Sequence, residues 1–90
     1  MPNVQFTRHL GMHFPGLASV EVEGRSLAEI VRALDGLHPG LAAYLVDDQG
    51  TLRKHVNIFV NGQLLTDRSG LRDAVGPGDQ VFIMQALSGG

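Results

Sequence analysis

Cysteine is absent from the 90 residues, and so is tryptophan; one tyrosine, four phenylalanines and four prolines complete a short list of special side chains. Without cysteine the chain forms no disulfide framework, ligates no zinc through thiolate, holds no iron–sulfur cluster and offers no thiol nucleophile. Neither sign of charge dominates. Seven basic against nine acidic side chains leave a formal net charge of −2, which gives no electrostatic footprint for nucleic acid. Long apolar runs are missing too: the longest is Leu41-Ala-Ala-Tyr-Leu-Val46, against the roughly 18–20 residues that a bilayer helix needs. The opening stretch, Met1-Pro-Asn-Val-Gln-Phe6, lacks the basic-then-apolar pattern of a secretory signal. These absences predict a soluble, cytoplasmic protein that binds neither membrane nor nucleic acid. The apolar share of 43% suffices for one compact core, and the length fits one small domain.

Val4 and Phe6 alternate with polar neighbours, the period of a half-buried strand. Arg8 to Leu17, interrupted by Gly11, Pro15 and Gly16, reads as a looser stretch. Val20 and Val22 alternate with Ser19, Glu21 and Glu23, so a second strand is predicted, joined to the first by a long connection.

Ser26 followed by Glu29 is a capping box, in which each side chain satisfies a backbone N–H at the start of a helix. Leu27, Ile30, Val31 and Leu34 then recur at i, i+3, i+4 and i+7, one apolar stripe to lay against a sheet. Gly36 is expected to end this helix in a left-handed conformation. A turn over Leu37-His-Pro-Gly40, a short helical stretch over 41–46 and a solvated turn at Asp47-Asp-Gln-Gly50 follow. Val56, Ile58 and Val60 alternate with Asn57, Phe59 and Asn61, and Asn61-Gly62 is a strong hairpin signal. Gln63-Leu-Leu65 is the returning strand, Leu71 to Val75 a covering turn, Gly76-Pro-Gly-Asp79 a tight turn and Val81–Ala86 the last strand.

After that strand come Leu87-Ser88-Gly89-Gly90. The helix-on-sheet order, the turn Gly76-Pro-Gly-Asp79, the strand Val81–Ala86 and the terminal Gly-Gly together resemble the ThiS/MoaD family of ubiquitin-like sulfur carriers. The likeness spans essentially the whole chain and is densest over residues 76–90. Arg53-Lys-His-Val-Asn-Ile-Phe-Val-Asn-Gly62 looks like the central hairpin of the branch serving cysteine biosynthesis. The molybdopterin-synthase small subunits are the other near branch, though they often carry a proline pair where this chain has Gln85-Ala86. The resemblance implies an α+β, β-grasp fold: a mixed sheet of about five strands with one main helix across one face, its first and last strands parallel at the centre. The division it implies is a domain over 1–86 and a flexible tail over 87–90.

A C-terminal carboxylate, with a pKa of about 3.3–3.7, is an anion at neutral pH and a poor acyl donor. Adenylation by ATP supplies a good leaving group. Glycine suits the threading of a tail into an activating enzyme, because it has no Cβ to clash in a narrow channel. Gly90 has no side chain to shield its carbonyl from a sulfur nucleophile; Gly89, Ser88 and Leu87 are the next contacts outward. By resemblance, Gly90 becomes a thiocarboxylate that gives its sulfur to an acceptor. The chain is then a carrier and cosubstrate, not an enzyme, and binds no cofactor or metal itself. ATP and sulfur come through its partner, a ubiquitin-activating-type adenylyltransferase. A sulfur-accepting biosynthetic enzyme is a second partner, and a processing metalloprotease a third where residues follow Gly-Gly.

If Val56, Ile58, Val60, Val81 and Ile83 face the helix, Phe59, Phe82 and Met84 face away from it. Three large apolar side chains there form a candidate partner-binding patch, unless a loop or a second copy covers them. Met84 matches a position that carries an apolar contact in the molybdopterin branch. Other features carry less chemistry. His9 and His13 are four apart, but Gly11 and Pro15 favour exposed loop histidines over a metal pair. Asp47-Asp48 lacks the alternating acidic pattern of a calcium loop. Arg53-Lys54-His55 either steers an acidic partner or protects a strand edge. Two rival readings stay open: a protein modifier linked through Gly90 to lysines of its targets, and a β-grasp binding module with an inert tail.

Overall fold

The computed structural model describes residues 1–14, 16–17 and 19–85, the side chains of His9 and His13 excepted. Five strands, β1 (Asn3–Phe6), β2 (Val20–Glu21), β3 (Val56–Val60), β4 (Gln63–Leu64) and β5 (Gln80–Gln85), make one sheet in the order β2-β1-β5-β3-β4. β1 and β5 run parallel, in register from Asn3↔Gln80 to Phe6↔Ile83, and the other pairs are antiparallel. The last strand thus lies at the centre, where Val81 and Ile83 are buried.

Among the described residues, three helices accompany the sheet: α1 (Arg8–His13), α2 (Leu27–Leu37) and α3 (Leu41–Leu45). The stripe Leu27, Ile30, Val31 and Leu34 is buried in one cluster with Val4, Val56, Ile58, Val81 and Ile83. Each such side chain contributes about 1.5–3 kcal/mol on leaving water. Ser26 Oγ accepts from the Glu29 N–H at 3.3 Å, as its spacing predicts, but Glu29 Oε1 accepts from Arg25 N–H rather than from Ser26. The remaining first-turn amides are satisfied from afar: Leu27 N–H donates to Asp73 O and Ala28 N–H to Leu71 O. This explains the form of the segment 71–75. It stays extended enough to bridge Ser26 through Ala74, with Leu71 at φ 53°.

Two local expectations are corrected. Arg8–His13 is a helical turn rather than loop, so Gly11 is accommodated inside it, and Leu10 from this turn is fully buried. Burial of Leu10 outweighs the helix cost of about 1 kcal/mol for one glycine. Nor does Gly36 end α2, which continues to Leu37 with His38 N–H bonded to Leu34 O. The left-handed glycine is Gly40, at φ 98°, where the chain turns into α3. There the Asp35 carboxylate accepts from Gly40 and Ala42 N–H at 3.1 and 3.0 Å, so the reversal is built by a side chain of α2.

The two turns expected near the end of the sheet are present and joined. Asn61 and Gly62, at φ 52° and 83°, form the two-residue link between β3 and β4 that a primed turn requires. Asn61 Nδ2 donates to Asp79 Oδ1 at 3.0 Å, and Asp79 Oδ2 accepts from Gly76 N–H at 2.7 Å.

Candidate functional site

The alternation along β3 and β5 divides the sheet as its sequence predicts. Val56, Ile58, Val81 and Ile83 are buried beneath α2, with Val60 packed at their margin. On the other face a row crosses four strands, Gln5 beside Phe82, Phe82 opposite Phe59, and Phe59 opposite Leu64. Met84 lies opposite Asn57 in the next row. Phe59, Phe82 and Met84 are brought together by register, but they are partly buried rather than bare. The most exposed apolar member is Leu64, 52% accessible, which its place in a short returning strand did not single out. Beside this face the Arg68 guanidinium donates to Asn57 Oδ1 and Arg53 O, each at 2.7 Å.

Leu87, Ser88, Gly89 and Gly90, like the proposed boundary after Ala86, lie outside the described residues. The last described residue is Gln85. Its N–H donates to Thr7 Oγ1 at 3.3 Å, and it stands opposite Val56 in the ladder. Its side-chain amide meets the Tyr44 hydroxyl, with Nε2 donating at 2.8 Å and Oε1 accepting at 3.1 Å. Tyr44 lies edge-on to Phe14 and to His55, at centroid distances of 5.4 and 6.5 Å. Neither Thr7 nor Tyr44 belongs to a recognisable motif; only the parallel pairing of β1 with β5 and the fold-back of α3 bring them here.

The remaining polar candidates resolve into structural roles. Asp47 Oδ1 accepts from Gln49 and Thr51 N–H at 2.9 and 3.0 Å, closing its own turn. Arg53 donates through Nε and Nη2 to Ala43 O, while Lys54 and His55 are exposed ahead of β3. His9 and His13 lie in α1, and no group of three or more His, Asp or Glu among the described residues is placed to hold a metal ion. The carboxylates with lowered pKa are structural as well. The Arg72 guanidinium, 2.7 Å away, and the Gly70 and Arg72 amides hold Asp67 far below the usual range. The Thr66 amide lowers the pKa of Asp73, and the Asn61 side chain lowers that of Asp79. None of the described helices is long and apolar enough to cross a membrane.

A helix laid over a mixed sheet whose first and last strands pair in parallel, with β5 central, defines a ubiquitin-like β-grasp protein. Residues 12–90 match the ThiS family model, and the chain belongs to the ThiS family. It is 34% identical over 80 residues to the sulfur carrier protein CysO of Mycobacterium tuberculosis, covering 87% of this chain and 86% of that protein. To small archaeal modifier protein 3 of Haloferax volcanii it is 31% identical over 65 residues, covering 72% and 70%. Among solved structures, a chain in the Amycolatopsis orientalis BexX/CysO complex superposes with a TM-score of 0.86 at 31% identity, covering all of both chains.

Proposed function

We propose that this protein carries sulfur on the carboxyl group of Gly90, in a mature form that ends there. The observation that carries the proposal is the 34% identity to a protein named a sulfur carrier, across 87% of a chain whose final residues are Leu87-Ser88-Gly89-Gly90. A carboxylate oxygen of Gly90 attacks the α-phosphorus of ATP and pyrophosphate departs. A sulfide equivalent held by the activating system then adds to the carbonyl carbon and AMP leaves, giving the thiocarboxylate. Transfer to an electrophilic acceptor regenerates the carboxylate after hydrolysis. The protein's own part is to present a bare, threadable end, with no side chain at Gly89 or Gly90 to obstruct it. Phe59, Phe82 and Met84, together with Leu64, form the face that docks on the cytoplasmic activating enzyme and then on the acceptor. Of the two branches that the sequence resembles, the similarity to CysO favours the one serving cysteine biosynthesis.

Mass spectrometry of the C-terminal peptide, after co-expression with the activating enzyme and a sulfur donor, tests this reading. The expected change is one oxygen replaced by sulfur at Gly90; an unchanged peptide under competent conditions overturns it. A second reading, amide linkage of Gly90 to lysines of other proteins, is favoured by the identity to small archaeal modifier proteins. The same adenylate serves both fates, and the attacking group decides between sulfide and amine. Branched Lys–Gly-Gly peptides in whole-cell digests mark the second. Removal of Gly89 and Gly90 abolishes either function, whereas an inert tail predicts no loss.

A further inference from the structure

Three segments remote in the chain meet at Gln85, and Phe14 backs one of them. Thr7, between β1 and α1, accepts the Gln85 N–H on its Oγ1, and β3 starts at Val56, the ladder partner of Gln85. α3 supplies the Tyr44 hydroxyl at 2.8 Å from Nε2 and 3.1 Å from Oε1, and the turn after α1 supplies Phe14 to hold the Tyr44 ring edge-on. Water would satisfy a glutamine amide at a strand end equally well, and pinning a long side chain costs rotamer entropy. The arrangement therefore does more than satisfy an amide. A proline at this position would stiffen the backbone through its ring but would have no N–H to donate. Gln85 reaches stiffness by the opposite route, using its N–H and its side chain together.

Gly90 lies five residues beyond Gln85, and an extended chain of that length spans at most about 17 Å. Gln85 is the last described residue before that span, and its backbone is held by Thr7 and by the ladder to Val56. Resting on the carrier reading, we propose that Thr7, Tyr44 and Gln85 are positioning residues. They fix the point and direction from which the tail departs, and so the placement of the Gly90 carboxyl against ATP on the activating enzyme. Displacement of a reacting group by about 1 Å costs up to on the order of a hundredfold in rate, so a clamp five residues away has a measurable effect even when diluted along the tail.

The test is ATP–pyrophosphate exchange by the cognate activating enzyme, with the full-length carrier as varied substrate and its thermal midpoint recorded alongside. Tyr44→Phe removes the hydroxyl and keeps the ring contacts; Gln85→Ala removes the amide; Gln85→Glu keeps an acceptor for the Tyr44 hydroxyl. Expected is a fall in kcat on the order of tenfold for the first two, with KM for the carrier unchanged and Gln85→Glu restored toward wild type. Thr7→Val, which deletes one hydroxyl at constant shape, gives the same reading should Gln85→Ala fail to fold. A lowered thermal midpoint with kcat untouched, or a rise in KM alone, overturns the inference. Wild-type exchange with every variant equal to it overturns the clamp and leaves the carrier reading standing; wild type without exchange overturns both.

Discussion

Phe59 and Phe82 face each other across the antiparallel pair β3 and β5, on the side of the sheet turned away from α2. Cross-strand aromatic pairs stabilise a sheet by roughly 0.2–1 kcal/mol, yet a pair left partly accessible is also available to a partner. Alanine at Phe59 is expected to weaken docking by about 1–2 kcal/mol, or roughly tenfold in KM for the carrier in the activation assay. Its kcat should stay at the wild-type level. An unchanged KM for both Phe59→Ala and Phe82→Ala would remove this face from the docking surface.

Acid should destabilise the fold through three carboxylates. Asp67, Asp73 and Asp79 each have a pKa lowered in the folded state, chiefly by the Arg72 side chain, the Thr66 amide and the Asn61 side chain respectively. A carboxylate with a depressed folded pKa contributes stability above its unfolded pKa of about 3.9 and loses it as pH falls toward the folded value. Thermal midpoints should be level from neutral pH down to about pH 5 and decline below about pH 4. Asp73→Asn, which forfeits charge-assisted acceptance from Thr66 and Asp67, should lower the midpoint at pH 7 and flatten the acid decline. A variant whose decline matches wild type would exclude Asp73 as a contributor.

The start of α2 depends on Ser26. Ser26→Ala removes the oxygen that accepts the Glu29 N–H, and the expected loss is about 1 kcal/mol by urea unfolding. Ser26→Asp should recover most of it, since the aspartate is an equally good cap and carries negative charge at a helix N-terminus. Equal stability of Ser26→Ala and wild type would mean that the segment 71–75 holds this helix end alone.

Gly24 is required by contact. A Cβ built there falls 2.9 Å from Ile30 Cδ1, 3.1 Å from Ile30 N and 3.2 Å from Glu29 Cβ. Ile30 is fully buried and the backbone of α2 is anchored at both its caps, so neither yields freely. Gly24→Ala should cost about 1–3 kcal/mol, read from the same unfolding curves. Gly36→Ala, with nothing near its Cβ and within α2, should instead be neutral or stabilise by up to about 1 kcal/mol.

The local elements were legible because each leaves a periodic mark. The stripe Leu27, Ile30, Val31 and Leu34, the alternation of Val56, Ile58 and Val60, and the Asn61-Gly62 turn are consequences of helix and strand geometry acting on consecutive residues. The composition of the apolar face, Phe59, Phe82 and Met84, followed from the same two-residue period. Less was legible where a non-local contact overrode local preference. Arg8–His13 is helical although glycine interrupts it, because Leu10 is buried. α2 passes through Gly36 because the reversal belongs to Gly40 and to the Asp35 carboxylate that caps α3.

By itself, then, the sequence determined a helix over a sheet and the apolar strip on each side of that sheet, since short-range periodicity needs no partner. Only the tertiary structure decided that Leu71 and Asp73 supply acceptors to α2 and that Leu64 joins Phe59 and Phe82. It alone also brings Thr7 and Tyr44, distant from Gln85 by 78 and 41 positions, to the end of β5. Such contacts depend on strand order and register, which the whole core selects at once by burying Val4, Ile58, Val81 and Ile83 together, and no stretch of consecutive residues records them.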